Sequence, residues 1–356
     1  MEIQELWTQF KFEAHASSRL YQQDVDWRAV EAHESWKQPF KIVGFVFRGI
    51  LSKLSPPRRV FLLFNLILAT LSIVGVSFLF FTREIELFVA FLGLLILLVM
   101  VLADHVTMKR DIEIAREIQH WLVPRVPPDV PGVDMAFATR PANTVAGDYY
   151  DAFRRPGDGP LLIAVADVAG KSVPAAMLMA NFQASLRALA GAHTSLSELV
   201  TDLNRLACRN NLNGRRFTTA FLAELDPSSG QLSYLSAGHN PPVLLRLDGT
   251  MERLKSESIP LGIELNEKYD AGITSLQPDE LLVIYTDGVT EARNQRGEPF
   301  GESRLLSSLQ VRTGERASIT LAGLMKNLDD FVGTAVQHDD ITCLVVTRTA
   351  SRHPLP

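Results

Sequence analysis

Cysteine is scarce in this chain of 356 residues, which contains only Cys208 and Cys343. The two lie far apart and neither belongs to a CxxC motif, so the sequence argues against a disulfide framework or a zinc site and fits a reducing compartment. Basic charge is also scarce, because 35 lysines and arginines stand against 40 aspartates and glutamates, giving a net charge of −5. Nucleic-acid-binding domains carry a basic footprint, so we expect no nucleic acid among the partners.

The chain also lacks an early apolar run of the kind found in secretory signal peptides. Residues 1–55 are largely polar and mixed in charge, with Trp7, Trp27 and Trp36 among them. We therefore expect no cleaved signal. Residues 40–54 have an amphipathic pattern that suits a membrane surface. The sequence predicts a short N-terminal cytoplasmic region here and assigns no function to it.

Two later segments contain no charged residue at all. Residues 60–81 would span roughly 33 Å as a helix, enough for a hydrocarbon core of about 30 Å. Residues 87–103 would span roughly 25 Å and need local thinning of the bilayer. Only residues 82–86 separate the two, so the sequence predicts a transmembrane helical hairpin. The alternative is a pair of buried core helices in a soluble protein, which rarely need uncharged runs of this length.

Positive charge is distributed unevenly around this hairpin. The loop between the two segments has Arg83 alone, whereas the flanks hold Lys41, Arg48, Lys53, Arg58 and Arg59 on one side and Lys109, Arg110 and Arg116 on the other. The positive-inside rule therefore places both ends in the cytoplasm. We expect a multi-pass protein of the inner (cytoplasmic) membrane, with its N-terminus and its large C-terminal part in the cytoplasm.

Residues 104–123 connect the hairpin to the rest of the chain. Ile114, Ile118 and Leu122 recur at helical spacing, and Pro124 ends the pattern. The sequence predicts a connector helix that continues out of the membrane. Two interpretations stay open: a dimerising lever that carries a signal, giving a homodimer through this helix, or the packed N-terminal helix of the following domain.

Residues 132–348 have the pattern of predicted strands and helices expected of a single α+β domain, and a loose tail is predicted at 349–356. Strands are predicted at residues 134–139, 148–153, 161–167, 217–225, 231–237, 243–247, 281–287 and 341–347. Helices are predicted at residues 174–190, 196–209, 302–309 and 317–331. Turns at 226–230 and 248–249 favour antiparallel pairing of their neighbours. Strands and helices come in groups and do not strictly alternate, which indicates an α+β layered domain.

Four aspartates at the ends of predicted strands carry the main functional signal. They are Asp148 in AGDYYD, Asp167 closing LLIAVAD, Asp287 closing LLVIYTD and Asp339 in HDDIT. Carboxylate oxygens held at a sheet edge suit hard cations such as Mg²⁺ or Mn²⁺. Without a cation, converging carboxylates raise one another's pKa values. Each aspartate taken alone is more simply a turn former or helix cap, and spacing does not prove that the four converge.

Two other motifs carry less weight. Residues 168–172 resemble the GK[ST] end of a P-loop, but Val165 occupies the place of the required first glycine, inside a predicted strand. A nucleotide-binding P-loop is therefore disfavoured. His239 lies between a predicted strand and two prolines, where Gly238 and Asn240 suit a tight turn, so a structural role is favoured over a general base.

The blocks AREIQ, AGDYYDAF, ADVAGKSVPAAMLMA, SAGHNPPVLL, YTDGVTEARN and HDDITCLVV occur in this order. Together they closely resemble the metal-dependent protein phosphatase (PPM) family, in its SpoIIE-like bacterial branch. The resemblance covers roughly residues 114–347 and excludes the hairpin and residues 1–55. It implies a β-sandwich flanked by helices, and a substrate that is a protein phosphorylated on serine or threonine, commonly an anti-sigma-factor antagonist.

The resemblance also implies two divalent cations, Mn²⁺ or Mg²⁺, and assigns their ligands. Asp148 would bridge both cations, Asp167 and the carbonyl of Val168 would bind one, and Asp287 and Asp339 would complete the other site. The catalytic role of these residues is to hold the cations, which activate a water for in-line attack on the phosphoryl group.

Two departures from the family pattern are small-residue replacements. The usual GGD is AGD, with Ala146, and the usual GKG is GKS, with Ser172. Local backbone angles are expected to differ there. Asp340 is the less favoured ligand of the DD pair. All four assigned aspartates are present, so the leading hypothesis is an active, membrane-anchored phosphatase. The alternative is a catalytically inactive PPM-fold module that binds a phosphoprotein partner.

Overall fold

The computed structural model describes residues 47–49, 51–75, 82–157, 159–170, 173–210, 216–255, 258–312 and 314–349. The predictions for residues 1–46 and for the tail beyond Thr349 lie outside these residues, as does Ser172. The chain divides into two compact units, residues 1–108 and 109–356, and each is described by itself.

The first unit contains a helix, α1, over Pro56–Val74, and most of a second helix, α2, over Arg83–Leu122. Helix α1 has proline at its start, where a missing N–H costs nothing. It ends at Val74 and is followed by Gly75, whose left-handed backbone lets its N–H reach the carbonyls of Leu71 and Ser72. Both helices are long and apolar enough to cross a membrane by length and composition.

Helix α2 differs from the predicted boundaries. It begins at Arg83, four residues before the predicted start of the second span, and continues without a break to Leu122. Most of the predicted loop at 82–86 is therefore helical, and the predicted connector at 104–123 is part of the same helix to within one residue. The last residues of the predicted first span, 76–81, lie outside the described residues.

Polar contacts lie between α1 and α2 inside the first unit. The Ser72 hydroxyl donates to the buried Glu86 carboxylate at 2.8 Å. Asn65 packs so closely on Gly93 that a β-carbon there would lie 1.9 Å from the Asn65 side-chain oxygen. Glycine at position 93 is thus required for this approach of the two helices.

The second unit contains a β-sandwich of two five-stranded antiparallel sheets. The first sheet has the order β1-β10-β9-β6-β7 and the second has the order β2-β3-β4-β5-β8. The strands are β1 Val133–Arg140, β2 Asp148–Arg154, β3 Leu161–Val168, β4 Thr218–Leu225, β5 Gln231–Ala237, β6 Val243–Leu245, β7 Met251–Arg253, β8 Gly272–Ser275, β9 Leu281–Tyr285 and β10 Ile341–Arg348. The α+β class predicted from the sequence is confirmed.

Among the described residues of this unit, five helices cover the outer faces of the sandwich. They are α3 Val173–Leu189, α4 Leu196–Arg209, α5 Asp287–Glu291, α6 Gly301–Gln310 and α7 Ala317–Val332. Helices α3 and α4 pack on the sheet that contains β2 and β3, and α5, α6 and α7 pack on the other sheet. The implied sandwich flanked by helices is therefore present.

Strand β3 shows why this sequence folds as a central strand. Leu161, Ile163 and Val165 point into the layer between the two sheets, whereas the alternate residues Leu162 and Ala164 point toward the helices. All five are fully buried. A strand that is buried on both faces has a continuous apolar sequence. Its alternate side chains pack in two different cores, one between the sheets and one beneath the helices.

Most predicted elements in this unit match within one or two residues, and the turns at 226–230 and 248–249 join antiparallel pairs as predicted. The predicted strand 281–287 is wrong at its end, because β9 stops at Tyr285 and Asp287 begins the short helix α5. The predicted strand 243–247 ends early, at Leu245. Strands β7 and β8 and helix α5 have no counterpart in the predictions.

Candidate active site

The four aspartates singled out in the sequence lie at one end of the sandwich. Asp148 is the first residue of β2 and faces Asp167 of β3 in the antiparallel register. Asp287 follows the last residue of β9 by two positions, and Asp339 precedes the first residue of β10 by two. Since β9 and β10 are antiparallel and pair Tyr285 with Cys343, these two aspartates lie at the same edge of their sheet.

Thr286 joins the two sheets at this end. Its hydroxyl donates to the Oδ2 of Asp148 at 2.9 Å and accepts the backbone N–H of Thr342 at 3.0 Å. Thr286 follows the last residue of β9 in the first sheet, Asp148 begins β2 in the second, and both residues are buried. This hydrogen bond therefore brings the segment that carries Asp287 to the strand that carries Asp148.

Asp340 holds the segment that leads into β2. Its Oδ1 accepts the N–H of Ala142 at 2.7 Å, and its Oδ2 accepts the N–H of Gly147 at 2.6 Å. Both oxygens of this buried carboxylate are thus engaged by backbone donors. The neighbouring Asp339 is only partly buried, and its Oδ1 accepts the N–H of Asp340 at 2.9 Å.

Two glycines allow the backbone to come close at the site. A β-carbon at Gly288 would lie 1.8 Å from the carbonyl oxygen of Asp340, so only glycine fits between α5 and the start of β10. A β-carbon at Gly147 would lie 2.9 Å from the carbonyl oxygen of Val168 and 3.6 Å from Oδ1 of Asp167. The carbonyl oxygen of Gly170 would lie 3.1 Å away, so the surroundings of Gly147 are lined by oxygens of Val168, Gly170 and Asp167.

The electrostatics of the site centre on Asp148. Burial raises the pKa of this carboxyl well above its ordinary value, and the nearby charges of Asp167 and Asp340 raise it further. Hydrogen bonds from Thr342 and Thr286 oppose the rise. A buried carboxylate among like charges needs either a proton or a cation. Oxygen is the donor atom throughout, and the hard cations Mg²⁺ and Mn²⁺ prefer oxygen, so these residues fit such ions.

The side chains are not drawn together into a complete ligand sphere. Within the described part of the chain, no three histidine, cysteine, aspartate or glutamate side chains are grouped closely enough to hold a metal ion. Asp148 and Asp167 face each other, whereas Asp287 and Asp339 share the same end of the sandwich. The sequence pointed to these four aspartates but missed Thr286 and the tethering role of Asp340.

His239 occupies a turn at the end of β5. Its backbone N–H donates to the Ser236 hydroxyl at 3.2 Å, and that hydroxyl donates to the His239 carbonyl at 3.1 Å. Its Nδ1 lies 3.2 Å from the hydroxyl of Thr219. Burial lowers the pKa of His239 to about 4, partly offset by the backbone of Tyr285, so the imidazole is neutral near pH 7.

A cleft of about 100 Å³ lies beside Asp339 and Gly288. Its lining combines two arginines, three carboxylates and apolar side chains: Arg140, Arg293, Glu291, Asp329, Asp339, Leu328, Val332, Val336 and Ile341. Arg140 pairs with Asp329, donating from Nη2 to Oδ2 at 2.8 Å, and Arg293 donates to the carbonyl of Gly297. The cleft therefore presents charges of both signs beside the predicted catalytic end.

Solved structures share this architecture. The PP2C domain of SiaA from Pseudomonas aeruginosa superposes with a TM-score of 0.60 at 22% identity, covering 70% of this chain and 99% of that one. The RsbU and RsbW domains of Rv1364c from Mycobacterium tuberculosis give a TM-score of 0.56 at 25% identity, covering 66% of this chain and 64% of that one. The fold is that of the PP2C-type (PPM) phosphatases.

The family described as Stage II sporulation protein E (SpoIIE) matches residues 157–349, more than half of the sequence, and the chain belongs to this family. Protein IcfG of Synechocystis is 32% identical over 264 residues, covering 67% of this chain and 41% of IcfG. The phosphoserine phosphatase RsbU of Bacillus subtilis is 29% identical over 243 residues, covering 67% of this chain and 70% of RsbU. This chain thus spans less than half the length of IcfG.

Proposed function

We propose that this chain is a membrane-anchored, metal-dependent protein phosphatase, with its catalytic domain at residues 132–348. Its substrate would be phosphoserine or phosphothreonine on a bacterial signalling protein. The observation that carries the proposal is the pairing of Asp148 with Asp167 at the end where Thr286 links the two sheets. Membership of a family of PP2C-type serine phosphatases supports the same reaction.

Five residues would hold two divalent cations, Mn²⁺ or Mg²⁺. They would be Asp148, Asp167, Val168 through its carbonyl, Asp287 and Asp339, all of which offer oxygen donors. The oxygen-lined space at Gly147 and the raised pKa of Asp148 support this assignment. Such cations, when bound, activate water at neutral pH and offset the charge of a phosphoryl group under attack.

The other residues of the site orient these ligands and receive the substrate. Thr286 fixes the carboxylate of Asp148 through a charge-assisted hydrogen bond, which is stronger than a neutral one. Asp340 fixes the backbone segment that precedes Asp148. The cleft beside Asp339 contains Arg140, which is paired with Asp329, and Arg293, a side chain of the type that binds phosphate groups. We propose that this cleft accepts the chain around the phosphorylated residue.

The proposed substrate class follows from the relatives. RsbU is named a phosphoserine phosphatase, and the Rv1364c structure combines RsbU and RsbW domains. We propose an anti-sigma-factor antagonist phosphorylated on serine or threonine. Phosphoproteomics of a strain that carries Asp287→Ala, compared with its parent and a deletion strain, tests this: the substrate accumulates phosphate in both mutants. A proteome with no phosphosite raised in either mutant contradicts it.

A direct assay tests the reaction. The full chain, purified in a mild detergent, should release phosphate from p-nitrophenyl phosphate and from a phosphorylated anti-sigma-factor antagonist when Mn²⁺ is added. Asp287→Ala should abolish release, whereas Asp330→Ala, at an exposed position of α7, should leave it unchanged. Release that survives both chelation with EDTA and Asp287→Ala would contradict a metal-dependent mechanism.

One observation favours the alternative, a catalytically inactive PPM-fold module that binds a phosphoprotein partner. In the described residues the predicted ligands are not grouped for a metal ion. Titration with Mn²⁺, followed by the electron paramagnetic resonance signal of the free ion, separates the two functions. An active enzyme takes up two equivalents, and uptake is reduced in Asp148→Asn. An inactive module that still binds a phosphoprotein shows no such uptake.

The membrane anchor is a second part of the proposal. Helices α1 and α2 expose many large apolar side chains, such as Phe88, which is 64% exposed. We propose that they form a transmembrane hairpin with both ends in the cytoplasm. The chain should then remain in the membrane fraction after alkaline carbonate extraction. A cysteine introduced by Arg83→Cys, at the end of the proposed hairpin outside the cytoplasm, should react with a membrane-impermeant maleimide in cells whose outer membrane alone has been permeabilised. Labelling of the cytoplasmic Cys208 without labelling of position 83 would overturn this topology.

A homodimer through the end of α2 is the third part. Ile114, Ile118 and Trp121 lie on one face of the helix and are 46%, 51% and 75% exposed. An apolar face of this spacing suits a second copy of the same helix. Light scattering of the detergent-solubilised chain should give the mass of a dimer. Ile118→Glu should give a monomer, and a dimer that persists in this variant would rule out the face.

A further inference from the structure

The side chain of Gln119 is paired with the backbone of Ala146. Its Nε2 donates to the Ala146 carbonyl at 2.7 Å, and its Oε1 accepts the Ala146 N–H at 2.9 Å. A primary amide is the side-chain group that offers one donor and one acceptor side by side, so it matches a peptide group in the way that a neighbouring strand does. Both residues belong to the second unit, and Ala146 is buried.

Ala146 lies two residues before Asp148. The peptide that Gln119 holds leads directly into Gly147, whose N–H is already held by Asp340. The segment from Ala142 to Gly147 is thus tied by Asp340 on the side of β10 and by Gln119 on the side of α2. Because backbone groups at 146 and 147 are both fixed, little freedom is left in the direction of the Asp148 side chain.

We propose that Gln119 is a positioning residue for Asp148: its amide fixes the Ala146 peptide and thereby sets the affinity of the carboxylates at this end for divalent cations. The metal part of this inference rests on the proposed function. Residues that orient metal ligands without binding the metal themselves typically change metal affinity by about tenfold to a hundredfold when they are replaced. We therefore expect Mn²⁺ half-saturation of Gln119→Leu to rise about tenfold or more.

Two variants dissect the pairing. Gln119→Leu keeps the volume and the helical propensity and removes both hydrogen bonds. Gln119→Glu keeps the acceptor for the Ala146 N–H and removes the donor to the Ala146 carbonyl. Its Mn²⁺ half-saturation should lie between those of the parent chain and Gln119→Leu, or should be raised further where the two acceptor oxygens repel each other. Glu113→Ala, at an exposed position of the same helix, is the matched control and should behave as the parent chain does.

Two measurements on the full chain in detergent test the inference. The first is amide hydrogen exchange of the peptide that covers residues 141–147, without metal, where Gln119→Leu should exchange at least about tenfold faster and Glu113→Ala should not. The second is uptake of Mn²⁺, followed by the resonance of the free ion, together with kcat and KM for p-nitrophenyl phosphate at saturating Mn²⁺. We expect the metal half-saturation to move while KM for the phosphate ester changes little.

The outcomes separate this inference from the proposed function. Unchanged exchange at 141–147 in Gln119→Leu overturns the inference whatever the metal does. Faster exchange with unchanged Mn²⁺ half-saturation, in a parent chain whose uptake depends on Asp148, also overturns it, because the pairing would then be structural only. A parent chain that takes up no Mn²⁺ overturns the proposed function and, with it, the effect of Gln119 on metal affinity.

Discussion

The hydroxyl of Thr286 donates to the carboxylate of Asp148 across the junction of the two sheets, at 2.9 Å. The same hydroxyl oxygen accepts the N–H of Thr342, so one small side chain connects β10, the end of β9 and the start of β2. Asp148 is buried, and its pKa is raised by burial and by Asp167. This hydrogen bond is therefore a structural link and a determinant of the charge at the predicted active site.

Replacing Thr286 by valine should weaken both properties. Thr286→Val keeps the shape but leaves the Asp148 carboxylate and the Thr342 N–H without this partner, which should cost about 1–3 kcal/mol of unfolding free energy. Mn²⁺ uptake should also weaken. Thr286→Ser retains the hydroxyl and is the matched control. Denaturant unfolding of the full chain measures the difference, and a valine variant as stable as the serine variant would refute the role given to this hydroxyl.

A methyl group at position 288 should be poorly tolerated. The β-carbon of Gly288→Ala would lie 1.8 Å from the carbonyl oxygen of Asp340, so the backbone must shift, at a cost of about 3 kcal/mol. Gly191→Ala is the comparison, because its β-carbon would lie 3.2 Å from a ring carbon of Pro156 and needs only a small adjustment. Thermal unfolding should rank Gly288→Ala far below Gly191→Ala, and equal midpoints would contradict the packing described.

The buried carboxylate of Asp151 should depend on Arg187. Asp151 is fully buried and accepts hydrogen bonds from Nε and Nη2 of Arg187, each at 2.7 Å, and from the Tyr149 hydroxyl. Arg187→Met leaves this charge with one strong donor fewer on each oxygen and should cost about 3 kcal/mol. The exposed pair of Arg205 with Asp202 offers the control, since Arg205→Met should cost less than about 0.5 kcal/mol.

These costs are measured by chemical denaturation of the two variants at the same pH. Arg187→Met and Arg205→Met each remove one arginine, so net charge is matched. If both variants lost the same small free energy, the network around Asp151 would have no special energetic role.

His239 should make stability depend on pH in the acid range. Its pKa is about 4 in the folded chain and about 6.5 when unfolded, so the unfolded chain binds the proton more readily. The contribution is present above pH 6.5 and is lost as the pH falls toward 4, by up to about 3 kcal/mol. His239→Gln should flatten this part of the profile of unfolding free energy against pH. A variant with an unchanged slope between pH 6.5 and 4 would contradict this assignment.

The sequence predicts those strands in which burial produces a recognisable pattern of apolar residues. Strand β3 is a continuous apolar run and was predicted to within one residue, because it is buried on both faces. Strand β7 consists of Met251–Arg253 and β8 of Gly272–Ser275, and both were missed because such short, partly polar segments are strands only through pairing with β6 and β5. Helix α5 was missed because five residues carry too little periodicity.

The site was predictable by residue type and not by contact. Asp148, Asp167, Asp287 and Asp339 stand out because each lies at the edge of a predicted strand. Thr286 contacts Asp148 across 138 positions of chain, and Gln119 contacts Ala146 from a different element, so no local pattern reveals either. The replacement of glycine by Ala146 is tolerated because its backbone φ is not positive, which the sequence does not show.

The register of β1 with β10 pairs Val133 with Arg348 at the end of the strands remote from Asp148. The N–H of Thr349 also donates to the carbonyl of Gly132, so the polypeptide enters and leaves the sandwich at the same spot. A module with adjoining entry and exit tolerates insertion into longer polypeptides. A chain that continued beyond Thr349 would therefore start at the end of the sandwich opposite to Asp148.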